Sequence, residues 1–228
     1  MCARALAAAL LAACLVPSAA AAGEWEKAAS DDGIDVYARA VDGSDIKEMK
    51  AYGKIDAPAE RVLAVLADVG AYTETMPYTE LSKLIKRAGN TVWLYTVINA
   101  PLVSRRDYGI KITLSQLPDG RLKSEWVPAN EIAPPLPADA VRVVVNTGYW
   151  LLSPVGDGKQ TEAVYFVKTD PGGSLPTFII NKANSQAVPD VFRAIRKAVA
   201  SPRYKDAASP LLPPPGEGAK DAPAAPAK

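Results

Sequence analysis

The sequence predicts an α+β domain in which a largely antiparallel sheet packs against one long C-terminal helix. Three observations carry this. Between residues 34 and 167 nearly every ordered segment alternates apolar and polar residues with the period of a half-buried strand. That span holds one clear amphipathic helix. From residue 175 to 199, Leu175, Phe178, Ile179, Ala183, Val188, Phe192, Ile195 and Val199 recur at steps near three and four. Lys182, Asp190, Arg193, Arg196 and Lys197 fall between them, which describes a helix with one buried stripe.

Taken in order, Trp25 opens the domain as an anchor that tucks under the sheet or the long helix. Residues 34–39 and 46–55 form a hairpin across Val41-Asp42-Gly43-Ser44. Asp56-Ala57-Pro58-Ala59-Glu60 starts a helix, with a capping acid, an early proline and a second acid at the positive end of the dipole. Val62, Leu63, Val65, Leu66 and Val69 supply its buried face. Strands follow at 81–87 and 91–99 around Ala88-Gly89-Asn90. In the second, Trp93, Tyr95 and Val97 share one face and Val92, Leu94, Thr96 and Ile98 the other, with nothing to say which faces inward. Arg105-Arg106-Asp107-Tyr108 enters the next strand, which returns through Leu117-Pro118-Asp119-Gly120 to 121–128. Three prolines in 131–139 predict a surface loop. A last hairpin, 141–152 with 161–168, leads into Thr169-Asp170-Pro171-Gly172-Gly173-Ser174, a turn that ends a strand and places Ser174 as a helix cap.

The 228 residues hold 26 basic and 25 acidic side chains, and no basic run interleaved with aromatics, so nucleic acid is excluded as a partner. The absence of histidine removes imidazole bases, His triads and most zinc sites. Residues 1–22 read as a signal peptide, with Arg4, an apolar run and Ala20-Ala21-Ala22 as the cleavage site. Export to the periplasm or beyond is the expectation. Both cysteines, Cys2 and Cys14, lie inside that segment, so a chain cut after Ala22 has no thiol chemistry. Leu11-Ala12-Ala13-Cys14 resembles a bacterial lipobox, which keeps lipid anchoring through Cys14 open as the alternative. The domain is placed at residues 24–205. Residues 206–228, rich in Ala and Pro, are expected to be disordered.

The element order, Asp170-Pro171-Gly172-Gly173-Ser174-Leu175-Pro176, Ile179-Ile180-Asn181 and the Arg106-Asp107-Tyr108 strand start together resemble the START family of lipid-transfer domains. Ala57-Pro58-Ala59-Glu60-Arg61-Val62 is similar to the same point in the wider helix-grip superfamily, which also holds polyketide cyclases and plant allergens. The resemblance spans residues 25–203. It implies a helix-grip fold, a curved antiparallel sheet wrapped around the long helix. Between them it implies an apolar cavity for one lipid, with the helix as part of a lid.

The resemblance also implies that Arg106 sits in or near the cavity and meets a polar group of the ligand. The alternative is a structural salt bridge to Asp107 or a strand neighbour. Cavity candidates are Trp93, Tyr95, Trp126, Trp150 and Tyr165 on strands, and Phe178, Ile179, Asn184, Val188 and Phe192 on the helix. Ordinary core packing is the plainer reading for the aromatics, and a solvent-side position for Asn184. Gly172, Gly173 and Pro189 are candidate lid hinges, with a bend or break expected near Ala187. No catalytic constellation, metal site or cofactor motif is present. The expected function is non-catalytic binding, and transport, of one sterol, fatty acid or phospholipid by a monomer that touches membrane surfaces transiently. An enzyme of the same superfold, a cyclase or hydrolase, and a purely structural domain with a filled cavity are the alternatives.

Overall fold

The computed structural model describes residues 23–101 and 103–211. Residues 1–22, with the expected signal peptide and Cys2 and Cys14, and most of the C-terminal segment lie outside the described residues. The elements are β1 (Glu26–Asp31), β2 (Ile34–Val41), β3 (Ser44–Ile55), α1 (Ala59–Ala67), α2 (Tyr72–Thr75), β4 (Thr79–Ala88) and β5 (Thr91–Ile98). They continue with β6 (Arg105–Gln116), β7 (Leu122–Pro128), β8 (Ala140–Arg142), β9 (Val145–Val155), β10 (Gln160–Asp170) and α3 (Thr177–Val199). One sheet runs in the order β1-β2-β3-β10-β9-β7-β6-β5-β4, every neighbouring pair antiparallel, while β8 adds to β6 in parallel. The predicted helix-grip class holds.

The chain closes on itself where β3 pairs with β10, from Ile55 opposite Thr161 to Met49 opposite Val167. This juxtaposition brings the first hairpin beside the last and centres the sheet under α3. On α3 the buried line runs from Ile180 to Val199, and its Val188, Phe192, Ile195 and Val199 meet Val36 of β2, Met49 and Ala51 of β3, and Val62 and Leu66 of α1 in one core. Phe192 is wholly buried, worth about 2–3 kcal/mol of apolar transfer. Its seat is Gly53, where a Cβ would stand 2.8 Å from the ring.

Several expectations change. Neither predicted cap acts: α1 starts after Pro58 and α3 after Pro176, each without a side-chain cap bond, and Asp56 instead accepts from Gln160 Nε2 at 2.8 Å. The break expected near Ala187 is absent. α3 is one continuous helix of 23 residues with Pro189 buried inside it. Trp25 tucks under neither sheet nor helix; it lies on the sheet's outer face, between Arg39 and Lys50. β1 was not predicted, since its residues are almost all exposed, although Asp32-Gly33 at positive φ is a hairpin signal. Of the segment expected to be disordered, residues 206–211 are described and fixed on the body. Ala207 and Leu211 pack against the core, and Arg87 Nη2 donates to the Pro210 carbonyl at 2.7 Å.

Candidate functional site

The alternation of each strand decides which side chains face α3. In β6 these are Arg106, Tyr108, Ile110, Ile112 and Leu114, of which the last three lie in the core. Ile112 is paired with Trp126 of β7, which therefore also faces inward, and β9 and β10 continue the same surface with Trp150 opposite Tyr165. The rings interlock: Trp150 lies 4.6 Å from Tyr165 and 4.9 Å from Phe192, and Trp126 stacks on Tyr165 at 5.8 Å, centroid to centroid. Gly148 permits this, since a Cβ there would stand 2.4 Å from the Trp126 ring.

Within this wall Tyr108 and Tyr165 stand apart. Both lie on the inward face of central strands, and burial raises the pKa of both, Tyr108 to about 12. Yet neither is covered completely. Both rings belong to the inward wall and pack against the core, Tyr165 edge-on to Phe192 of α3 at 6.5 Å. Trp126 Nε1 donates to Asn146 Oδ1 at 2.9 Å, so the wall is apolar with a few hydroxyl and amide groups.

Arg106 belongs to the same face and is 6% exposed. Its guanidinium donates only to main-chain carbonyls: Ser104 before β6, Pro171 at 3.4 Å and Gly172 at 3.4 Å. Among the described residues no carboxylate pairs with it, and burial lowers its pKa. The alternative weighed for it, a salt bridge to Asp107, is not made, because neighbouring residues on a strand face opposite sides. Gly172 and Gly173 adopt φ of +66° and +78°, so the turn into α3 requires glycine, and Arg106 ties that turn to β6.

Other candidates fall elsewhere. Trp93 and Tyr95 face outward, away from Val92 and Leu94, and are not part of the inward wall. The Tyr95 hydroxyl instead donates to Asp107 at 3.0 Å, and Arg142 of β8 makes a two-pronged ion pair with the same carboxylate, both bonds at 2.8 Å. The 129–144 crossover covers this network, which is why an outward-facing Asp is fully buried. Phe178 and Ile179 do not join the core either. They are 72% and 41% exposed, since α3 begins at Thr177 and its buried line takes up Ile180 instead. Val188, Trp150 and Phe192 form the packed floor. Asn184 is no solvent-side residue; its Nδ2 reaches the Thr169 carbonyl at 3.4 Å, while Asn181 bonds the Lys47 amide and the Asp45 carbonyl. Sequence reasoning missed Tyr108 and Asn146, whose signal was their place in register with Arg106 and Trp126.

Residues 55–196 match the family described as polyketide cyclase / dehydrase and lipid transport. An uncharacterized protein of Pseudomonas aeruginosa is 31% identical over 180 residues, covering 78% of this chain and 88% of that one. A STAR-related lipid transfer protein of Xanthomonas axonopodis superposes with a TM-score of 0.71 at 28% identity, covering 78% of this chain and 99% of that one. Human StAR-related lipid transfer protein 5 gives a TM-score of 0.70 at 18% identity over 77% of this chain and 86% of that one, a likeness of fold alone. The inward wall, the long helix over it and the matched sequence lead to one conclusion: the chain belongs to the polyketide cyclase / dehydrase and lipid transport family, as one of its START domains.

Proposed function

We propose that the protein is a non-catalytic carrier that encloses one amphiphile between the sheet and α3. The hydrocarbon lies against Tyr108, Tyr165 and Trp126, and an anionic or accepting head group turns to Arg106. The observation that supports this most is the incompletely covered wall of inward aromatics beside a buried cation without a carboxylate. Burying 15–25 hydrocarbon carbons at about 0.8 kcal/mol each supplies roughly 12–20 kcal/mol before the costs of binding. That suffices for a stoichiometric complex.

The family description also names cyclases. Chemistry on such a substrate needs a positioned base, and the tyrosines of the wall are held protonated by burial, which makes them poor bases at neutral pH. The one fully buried carboxylate among the described residues, Asp107, is committed to Arg142 and Tyr95 on the opposite face. The exposed Phe178 and Ile179, with Lys182 beside them, suit transient contact with a membrane during loading. We place the carrier in the cell envelope, as a monomer exported by its leader.

Native mass spectrometry of the protein purified gently from its own host tests the proposal. A stoichiometric lipid is the expected result. An empty protein that takes up no sterol, fatty acid or phospholipid overturns it, and recovery of a chemically altered ligand supports the cyclase instead.

A further inference from the structure

The outer face of the sheet carries a second aromatic surface that the inner site does not use. Directly paired positions put Tyr37, Lys50, Phe166 and Tyr149 in one row across β2, β3, β10 and β9. Outer faces of antiparallel sheets are ordinarily polar. Here Trp25 lies over the row with the Lys50 ammonium 4.4 Å from its ring centroid, and Tyr52, 45% exposed, stands edge-on to Tyr37 at 5.8 Å. Trp25, Tyr37, Lys50 and Tyr52 line a depression of about 290 Å³.

The chemistry of this depression is mixed. Aromatic rings line it, and among the described residues neither the Tyr37 nor the Tyr52 hydroxyl bonds to the protein. Lys50 has no carboxylate partner there either, since the nearby Glu48 is taken by Arg39. A bilayer or a second copy of the chain would ask for a broad apolar face rather than a pocket of ring size with free donors. A pyranose fits: its C–H face carries the partial positive charge that an aromatic face attracts, and its hydroxyls meet the phenols. The Lys50 ammonium, which lies over Trp25 but has no carboxylate partner among the described residues, adds a preference for negative charge. We propose that this depression is a binding site for an acidic sugar, a pyranose bearing a carboxylate within a glycan, independent of the ligand under α3.

The test is calorimetric titration of the full chain at low salt with a hyaluronan tetrasaccharide and with neutral cellotetraose. The acidic glycan is expected to bind at submillimolar to millimolar concentration, and the neutral one about tenfold more weakly. Lys50→Gln removes that preference, and Tyr52→Ala weakens both ligands about fivefold or more. Fatty-acid uptake is unchanged in both variants, which shows that each still folds. No binding of either glycan at millimolar concentration overturns the proposal. So does binding that survives both substitutions, or displacement of the glycan by fatty acid. Equal affinity for the two glycans overturns the acidic assignment.

Discussion

Replacing Arg106 with Met separates the stability of the empty protein from its choice of ligand. The guanidinium is nearly buried and donates to three carbonyls, two of them at a long 3.4 Å. Well-formed bonds from a charged donor contribute about 1.5–3 kcal/mol each, and long ones far less, so the set contributes roughly 3–4 kcal/mol. Desolvating an ion of this kind costs several kcal/mol. The two nearly cancel. Met has similar length, and the freed Ser104 carbonyl belongs to an exposed residue that water reaches. Arg106→Met is therefore expected to change stability by about 1 kcal/mol or less in either direction, a shift in Tm of about 2–4 °C. Binding of a long-chain carboxylate should behave differently. It loses a charge-assisted bond worth about 1.5–3 kcal/mol, or roughly 10- to 150-fold in Kd. The methyl ester of the same acid should change by less than about threefold. Displacement titrations of acid and ester on both proteins, alongside melting curves, measure each part. Equal losses for acid and ester, or a Tm lower by more than about 10 °C, would refute the argument, the latter by showing that the cation chiefly clamps the turn.

Gly148→Ala should be severe, because the new Cβ meets the Phe166 carbonyl at 2.2 Å as well as the Trp126 ring, and backbone cannot yield as a side chain can. A cost of about 3 kcal/mol or more, read as a Tm lower by about 6–12 °C, is expected, and an unchanged Tm would sink the packing account. Alkaline unfolding tests the wall. Tyr108 ionises near 10.0 when unfolded and near 12 when folded, so the unfolded chain binds fewer protons above pH 10 and stability falls as pH rises through that interval. About 2–3 kcal/mol is at stake, and Tyr108→Phe should make the fall of the denaturant midpoint between pH 10 and 12 shallower, the other buried tyrosines keeping the rest; an unaltered slope would contradict a buried phenol. Asp107→Asn breaks the pair with Arg142. As Arg142 is partly solvated, the loss should be smaller than the about 3–5 kcal/mol of a fully buried pair, and equilibrium urea unfolding should show it without loss of lipid uptake. Phe178→Ser should leave lipid affinity intact and slow transfer to vesicles, which a stopped-flow transfer assay reads directly.

Much of this architecture was legible in the chain because periodicity is a local property. The alternation at residues 46–55 and 91–99 could satisfy no element but a strand, and the stripe from Val188 to Val199 none but a helix packed on something broad. The lack of histidine and the confinement of both cysteines to the first 22 residues narrowed the chemistry without any coordinates. What local pattern does not contain is the identity of the inward face. In β5 both faces are apolar, so Trp93 and Tyr95 were as plausible inside as Val92 and Leu94. The decision came from the 129–144 crossover, which covers the outer face and brings Arg142 to Asp107 from 35 residues away. Asp107, the alternative partner weighed for Arg106, faces the other side and pairs with that distant arginine, while Arg106 finds carbonyls from a turn 65 residues further on. Long-range partners of this kind follow from the closure of β3 on β10 and the path of the crossover. Those are properties of the folded sheet, because the free energy that selects them is distributed over contacts no short stretch of sequence contains.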